Sequence, residues 1–307
     1  MGAHHHHDHA AHGTVQHASH GRAFALAVAL NLAFVVVEVV AGITGKSMAL
    51  IADAGHNLSD VLALLLAWGA SKLASRPPSA RYTWGLKGSS ILAALANAAL
   101  LWLALGAILL ETIQRFSHPA EPQGAIMMGV AAAGIVINAM CALLFARGRS
   151  HDLNLRAAFQ HLLADAVVSA GVVIAGLLVL LTGKTWIDPV TSLVITIVIG
   201  FGSWSLLREA LRLALGAVPS AIDEAAVRTL LSEQPGVTSV HDLHIWAMST
   251  TETVLTAHLV APGGHPGDAF LHELAHQLEH RFGIGHATLQ VETGAGEDCV
   301  LQSESVV

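Results

Sequence analysis

His56 and Asp60 stand four residues apart in "AGHNLSD", and His161 and Asp165 repeat that spacing in "QHLLAD". Residues four apart on a helix share a face, so each pair presents an imidazole beside a carboxylate. Both pairs interrupt stretches that are otherwise apolar enough to cross a membrane. Ionisable groups at that depth cost several kcal/mol, which drives them toward the bundle interior and toward one another. Two such faces brought together offer two ring nitrogens and two carboxylate oxygens, a tetrahedral set suited to Zn2+, with Co2+ and Cd2+ also acceptable. Two imidazoles disfavour Mg2+, which seeks six oxygens. The competing reading is interhelical hydrogen-bond glue; it explains one pair as well as a metal does, and the repetition favours the metal. Buried carboxylates need neutralising once a metal leaves, and protons, which metal binding displaces, can do so. Metal moving one way and protons the other follows as a mechanism.

The elements that must carry these pairs can be read from hydropathy. The chain has 307 residues, 53% of them hydrophobic and only 12% charged, with a mean hydropathy of +0.59. That is too apolar for an ordinary soluble domain and marks an integral membrane protein. Six apolar runs reach the roughly 20 residues a spanning helix needs: about 22–45, 48–73, 88–112, 124–147, 156–182 and 186–207. Each is continuous rather than alternating, which selects helices over a barrel. His56 and Asp60 fall in the second run, His161 and Asp165 in the fifth. The formal charge of −7 is spread along the chain, so nothing points to nucleic acid. Cys141 and Cys299 are read as incidental free thiols.

Arg and Lys set the orientation. Arg22, Lys72, Arg76, Arg81, Lys87, Arg147, Arg149, Arg156, Arg208 and Arg212 fall on one side, against Lys46, Arg115 and Lys184 on the other. Both termini are therefore expected in the cytoplasm, with no cleavable signal. The domains expected are a disordered histidine-rich arm at 1–20, a six-helix transmembrane bundle at 21–210, a cytoplasmic α+β domain at 211–294 and a short tail at 295–307. In the cytoplasmic domain "DEAAVRTLLSEQ" has helical spacing, "VTSVHDLHIWAM" and "TETVLTAHLVA" alternate as strands, "GDAFLHELAHQLEHRF" is helical and "ATLQVET" alternates again. The order is α-β-β-α-β, a small two-layer unit that gains by pairing with a second copy.

Six spans, paired HxxxD in spans two and five, "SMALIADAGHNLSD", "RPPSARYTWG" and a terminal "VHDLHIW…HATLQVE" together resemble the cation diffusion facilitator family, in its bacterial cobalt-zinc-cadmium resistance branch. The resemblance covers about residues 20 to 294. It implies a homodimeric metal–proton antiporter working by alternating access, with His56, Asp60, His161 and Asp165 as the transport site and a terminal domain folded like a metallochaperone. Some members also bind metal in the loop after span two; here that loop carries Tyr82 and no histidine. Members with metal-binding tails make His241 and His258, in adjacent strands, the better pair for a cytoplasmic-domain site, ahead of His244, His272, Gln290 and Glu292.

Other polar residues have competing readings. Asp53 either orients His56 or hydrogen-bonds a neighbouring helix. Glu38, Asn31 and Asn138 are expected as interhelical contacts or cavity lining. Asp188, before Pro189, reads as the N-cap of its own helix. "HELAH" at 272–276 matches the HExxH of zinc proteases, but about 80 residues leave little room for a catalytic domain. The histidines of "MGAHHHHDHAAHGTVQHASH" run on too irregularly for an expression tag and suggest a metal-collecting arm.

The sequence thus predicts no enzyme but a homodimeric exporter in a bacterial inner membrane. Its cargo would be zinc, with cobalt and cadmium as further cargo, and protons its counter-substrate; the direction follows from the resemblance. A membrane-tethered zinc protease using HELAH and a non-transporting metal sensor are the alternatives.

Overall fold

The computed structural model describes residues 13–146 and 153–294. The histidines of residues 1–12 and the tail at 295–307 lie outside the described residues. Six long helices come first: α1 (Gly13–Thr44), α2 (Met48–Ala74), α3 (Ser89–Ser117), α4 (Gly124–Ala146), α5 (Leu153–Thr182) and α6 (Ile187–Ala214). α2 to α6 each contain a stretch long and apolar enough to cross a membrane, and Val28–Thr44 of α1 adds a shorter one. The six expected spans are therefore all present as helices. Their ends run further than hydropathy suggests. α1 takes in residues 13–20, so this part of the expected disordered arm is helical, and α6 passes through the 210/211 boundary to Ala214. Once a helix is nucleated each added residue gains a hydrogen bond, so helices continue past the apolar stretch that nucleates them.

Two packed units result. Among the described residues, one takes those up to Leu64 together with Leu100–Ser203; the other takes Leu65–Ala99 and those from Trp204 onward. In the first, small side chains set the spacing: Ala49 and Ala52 of α2, Ala131 of α4 and Ala175 of α5 are buried in one apolar cluster with Met48, Met127 and Val172. Small residues let helix backbones approach without a hydrophobic driving force between them. α4 and α5 approach closely where Gly124 faces Gly176. Val36, Leu103, Leu143, Val167 and Phe201 point outward and exposed, a face that lipid would cover.

Asp188 requires a correction. It lies inside the first turn of α6, and the helix start it caps is that of α2. Ser47 Oγ donates to its Oδ1 at 2.6 Å, and the Met48 and Ala49 N–H groups donate to Oδ2 and Oδ1 at 2.8 and 3.2 Å. The first amides of any helix lack internal acceptors. Here Ser47 and Asp188 are 0% and 2% exposed, out of reach of bulk solvent, and a carboxylate from a neighbouring helix serves instead. Asp188→Ala strips these donors of their acceptor and is expected to destabilise the bundle by about 2 kcal/mol or more. Thermal unfolding in detergent, compared with that of Asp188→Asn, measures it.

The second unit holds the α+β domain: α7 (Glu224–Ser232), β1 (Ser239–Ala247), β2 (Thr253–Val260), α8 (Asp268–Phe282) and β3 (His286–Glu292). The sheet order is β1-β2-β3, with β1 antiparallel to β2 and β2 parallel to β3. This is the α-β-β-α-β order that the alternation predicts. Asp223 caps α7 by accepting from the Ala225 and Ala226 N–H groups. Gly283, at φ 70°, ends α8 in the left-handed conformation that closes helices at low cost. Leu255, Ala257 and Leu259 of central β2 are buried with Val227, Leu231, Leu274 and Leu278 of the two helices.

The segment linking α2 and α3 belongs to this same unit. Lys87 pairs with Glu252 in the β1–β2 turn, the Thr250 N–H donates to Ser90 Oγ at 3.0 Å, and the Trp84 ring meets His286 edge-on with centroids 4.7 Å apart. Both ends of the ion pair are over a third exposed (34% and 44%), so it contributes at most about 1 kcal/mol.

Candidate metal sites

α2 and α5 bring the two HxxxD faces together. His56 Nε2 lies 3.3 Å from Asp165 Oδ1, and His161 Nε2 lies 3.1 Å from Asp60 Oδ2. These cross-helix distances are shorter than those within a helix, 3.6 Å for His56 Nδ1 to Asp60 Oδ2 and 3.7 Å for His161 Nε2 to Asp165 Oδ2. The two rings stand edge to face with centroids 5.9 Å apart. Ligand atoms of His56, Asp60 and Asp165 fall within 4.8 Å of one another, and His161 closes on the group through Asp60.

What suits this cluster to a cation is how little else its atoms do. Asp165 and His56 side chains are 5% and 18% exposed. His56 Nδ1, Asp60 Oδ2 and Asp165 Oδ1 are buried without a hydrogen bond among the described residues. Buried polar atoms are rarely left in that state unless something else occupies them.

Around the cluster lies a second group of polar side chains. Asn57 Nδ2 donates to Glu38 Oε2 at 2.9 Å, and Ser169 Oγ donates to Asp53 Oδ2 at 3.1 Å. Glu38, Asp53, Asn57 and Ser169 are all buried. Of the two readings of Asp53, the bond to a neighbouring helix is the one present. Glu38 makes the interhelical contact expected of it. Asn31 Nδ2 approaches Cys141 Sγ at 4.0 Å, and Asn138 is buried with neither amide atom hydrogen-bonded among the described residues. The sequence reading missed Asn57 and Ser169. Asn57 directly follows a candidate ligand, which is the one signal that could have singled it out.

A second cluster forms in the α+β domain. The β1–β2 register sets His241 opposite His258, and their rings meet edge to face with centroids 5.2 Å apart. Glu292 joins from β3, with Oε1 3.0 Å from His258 Nδ1 and Oε2 3.3 Å from His241 Nε2. Ligand atoms of the three lie within 4.8 Å of one another. Neither buried nitrogen of His241 has a hydrogen-bond partner among the described residues. Of the residues ranked lower in the sequence, Glu292 therefore belongs to the cluster. His244 contacts Asp242 instead, at 2.9 Å, and Gln290 Nε2 donates to Glu292 at 3.1 Å. On α8, Glu273 accepts from Gln277, and the His276 and His280 rings meet at a 41° tilt with centroids 4.2 Å apart. The HELAH residues join no three-ligand group among the described residues, so a protease reading lacks its third ligand there.

Most of the chain matches known proteins. Residues 24–213 match the family model for the cation efflux transmembrane domain, and residues 219–294 that for the cation efflux protein cytoplasmic domain. The zinc transporter ZitB of Escherichia coli is 36% identical over 287 residues, covering 92% of this chain and 91% of that protein. The metal cation efflux system protein CzcD of Cupriavidus metallidurans is 36% identical over 95% of this chain and 90% of its own length. A cadmium, cobalt and zinc/H(+)-K(+) antiporter of Bacillus subtilis is 31% identical over 85% of this chain and 86% of its own. Among solved structures, the metal-bound C-terminal domain of the CzcD transporter is 40% identical, covering 23% of this chain and 99% of that one, with a TM-score of 0.22. The two matched domains, a cation efflux transmembrane domain and its cytoplasmic domain, define the class, a membrane-embedded transporter of metal cations. Within that class, the chain belongs to the cation efflux family.

Proposed function

We propose that the protein is a metal-cation/proton antiporter that exports Zn2+ from the cytoplasm of a bacterium, with Co2+ and Cd2+ as further cargo. His56, Asp60, His161 and Asp165 are its transport site. The observation that carries this reading is the convergence of two imidazoles and two carboxylates on α2 and α5, with unsatisfied ligand atoms among them. Two nitrogens and two oxygens favour zinc over magnesium. A divalent cation neutralises the two carboxylates when bound, and protons replace it when it leaves. Alternating access, in an inner-membrane homodimer with both termini in the cytoplasm, lets that exchange face one side at a time. A bacterial strain deprived of its own zinc exporters tests the reading: expression should restore growth on zinc and lower retained radiozinc. Restoration by the Asp60→Ala variant as well would contradict it.

The cluster of His241, His258 and Glu292 supports a second, regulatory role. Cytoplasmic zinc bound there acts on transport only by favouring one arrangement of the dimer over another. His241→Ala is expected to leave maximal transport intact and to raise the zinc concentration needed to reach it. Initial rates across a zinc titration measure this, and an unchanged half-saturation point would remove the regulatory role.

A further inference from the structure

We propose that Asp242 is the positioning residue of the cytoplasmic metal cluster. Its carboxylate holds the His258 ring so that Nδ1, and not Nε2, is the nitrogen offered to a divalent transition metal. The inference rests on the reading of His241, His258 and Glu292 as a metal site and adds a residue that the reading does not contain.

The geometry begins with the backbone. Strict alternation along β1 would send Asp242 to the face opposite His241. The β1–β2 register instead slips between His241 and His244, and within that bulge Asp242 has φ 51°. Glycine is the residue that takes left-handed bulge positions without steric cost. An aspartate held there at φ 51° is strained backbone beside the His241, His258 and Glu292 cluster, and strain of this kind points to function. The bulge turns the carboxylate toward the histidines. Asp242 Oδ2 lies 3.4 Å from His258 Nε2, and Oδ1 lies 2.9 Å from His244 Nε2. Its side chain is only 12% exposed.

A neutral imidazole has one N–H and one lone pair. Both ring nitrogens of His258 face a carboxylate, Nε2 that of Asp242 at 3.4 Å and Nδ1 that of Glu292 at 3.0 Å; a metal taking the Nδ1 lone pair would leave the one N–H on Nε2, where Asp242 is placed to accept it. His258, His241 and Glu292 would hold such a metal, and Asp242 would keep the His258 ring turned with Nδ1 toward it. His244, whose side chain is 42% exposed, holds the other oxygen of Asp242 and steadies the carboxylate from the solvent side.

The test is a zinc titration of the full-length protein in detergent, read by hydrogen–deuterium exchange in peptides spanning residues 239–260. This reports the cytoplasmic cluster alone, whatever binds elsewhere. Asp242→Gly removes the carboxylate and relieves the backbone, so exchange without zinc should match or be slower than that of the parent. The zinc needed for half-protection should rise about tenfold or more. Asp242→Asn tolerates the left-handed backbone and still accepts an N–H through its amide oxygen, so it should show a smaller shift in the same direction. A half-point for Asp242→Gly equal to the parent's, while His258→Ala raises it, would overturn the proposal and leave the metal site standing. No shift with His258→Ala either would overturn the site itself. If Asp242→Gly lost protection without zinc, the comparison would pass to Asp242→Asn, and an unshifted half-point there would overturn the proposal.

Discussion

Asp165→Ala is expected to lower zinc flux on the order of a hundredfold or more while leaving the protein folded. Loss of an outer partner of a metal ligand typically costs ten- to a hundredfold, and loss of a ligand should cost at least as much. Asp165 Oδ1 faces His56 across the two helices at 3.3 Å, so its removal breaks both the ligand set and the link between α2 and α5. The fold survives because Asp165 and Asp60 are like charges approaching the same histidines, and deleting one relieves repulsion. Gel-filtration elution in detergent reads the fold, and radiozinc flux in proteoliposomes reads function. Flux equal to the parent's would return the two pairs to the role of helix glue. Collapse of the fold would show that the carboxylate serves structure first.

Gly176→Val has the largest effect expected on stability. A Cβ at Gly176 would sit 2.9 Å from Gly124 O, 2.9 Å from Met127 Cβ and 3.0 Å from the Met128 amide. These are mostly backbone atoms, which cannot swing aside as the end of a long side chain could. α4 and α5 must separate, and overpacking of this kind costs about 3 kcal/mol. Gly171 of α5 is the control, since nothing lies within 4 Å of a Cβ there and alanine favours the helix by about 1 kcal/mol. Unfolding temperature should drop with Gly176→Val and hold or rise with Gly171→Ala. Equal effects at the two sites would refute the close approach of α4 and α5.

The contrast between these sites and the opening motif shows what a sequence can convey. The HxxxD pairs were legible because helical periodicity alone puts residues four apart on one face, and membrane burial leaves an ionisable face few places to point. The spans and the α-β-β-α-β order were legible from hydropathy and alternation in the same way. Asp188 was not, because its partners at Ser47, Met48 and Ala49 lie about 140 residues away. Local rules assign a capping residue to its own helix and cannot see a neighbour's bare amides. Asp242 was hidden for another reason. A bulge breaks the alternation that made β1 recognisable, so the residue it turns toward the histidines reads as pointing away. Glu292 fell between these cases: it was placed in a strand, but the parallel register sets Gln290 opposite His258 and Glu292 two residues further along, and only its side chain reaches back to the histidine.

The central claim is that metal crosses at His56, Asp60, His161 and Asp165 in exchange for protons. Its most direct test is zinc accumulation in proteoliposomes that carry the cytoplasmic domain outward and an acidic interior. The account predicts uphill zinc uptake that a protonophore abolishes and that is absent in Asp60→Ala and Asp165→Ala. Uptake that persists with the proton gradient dissipated, or that survives in both variants, would contradict it.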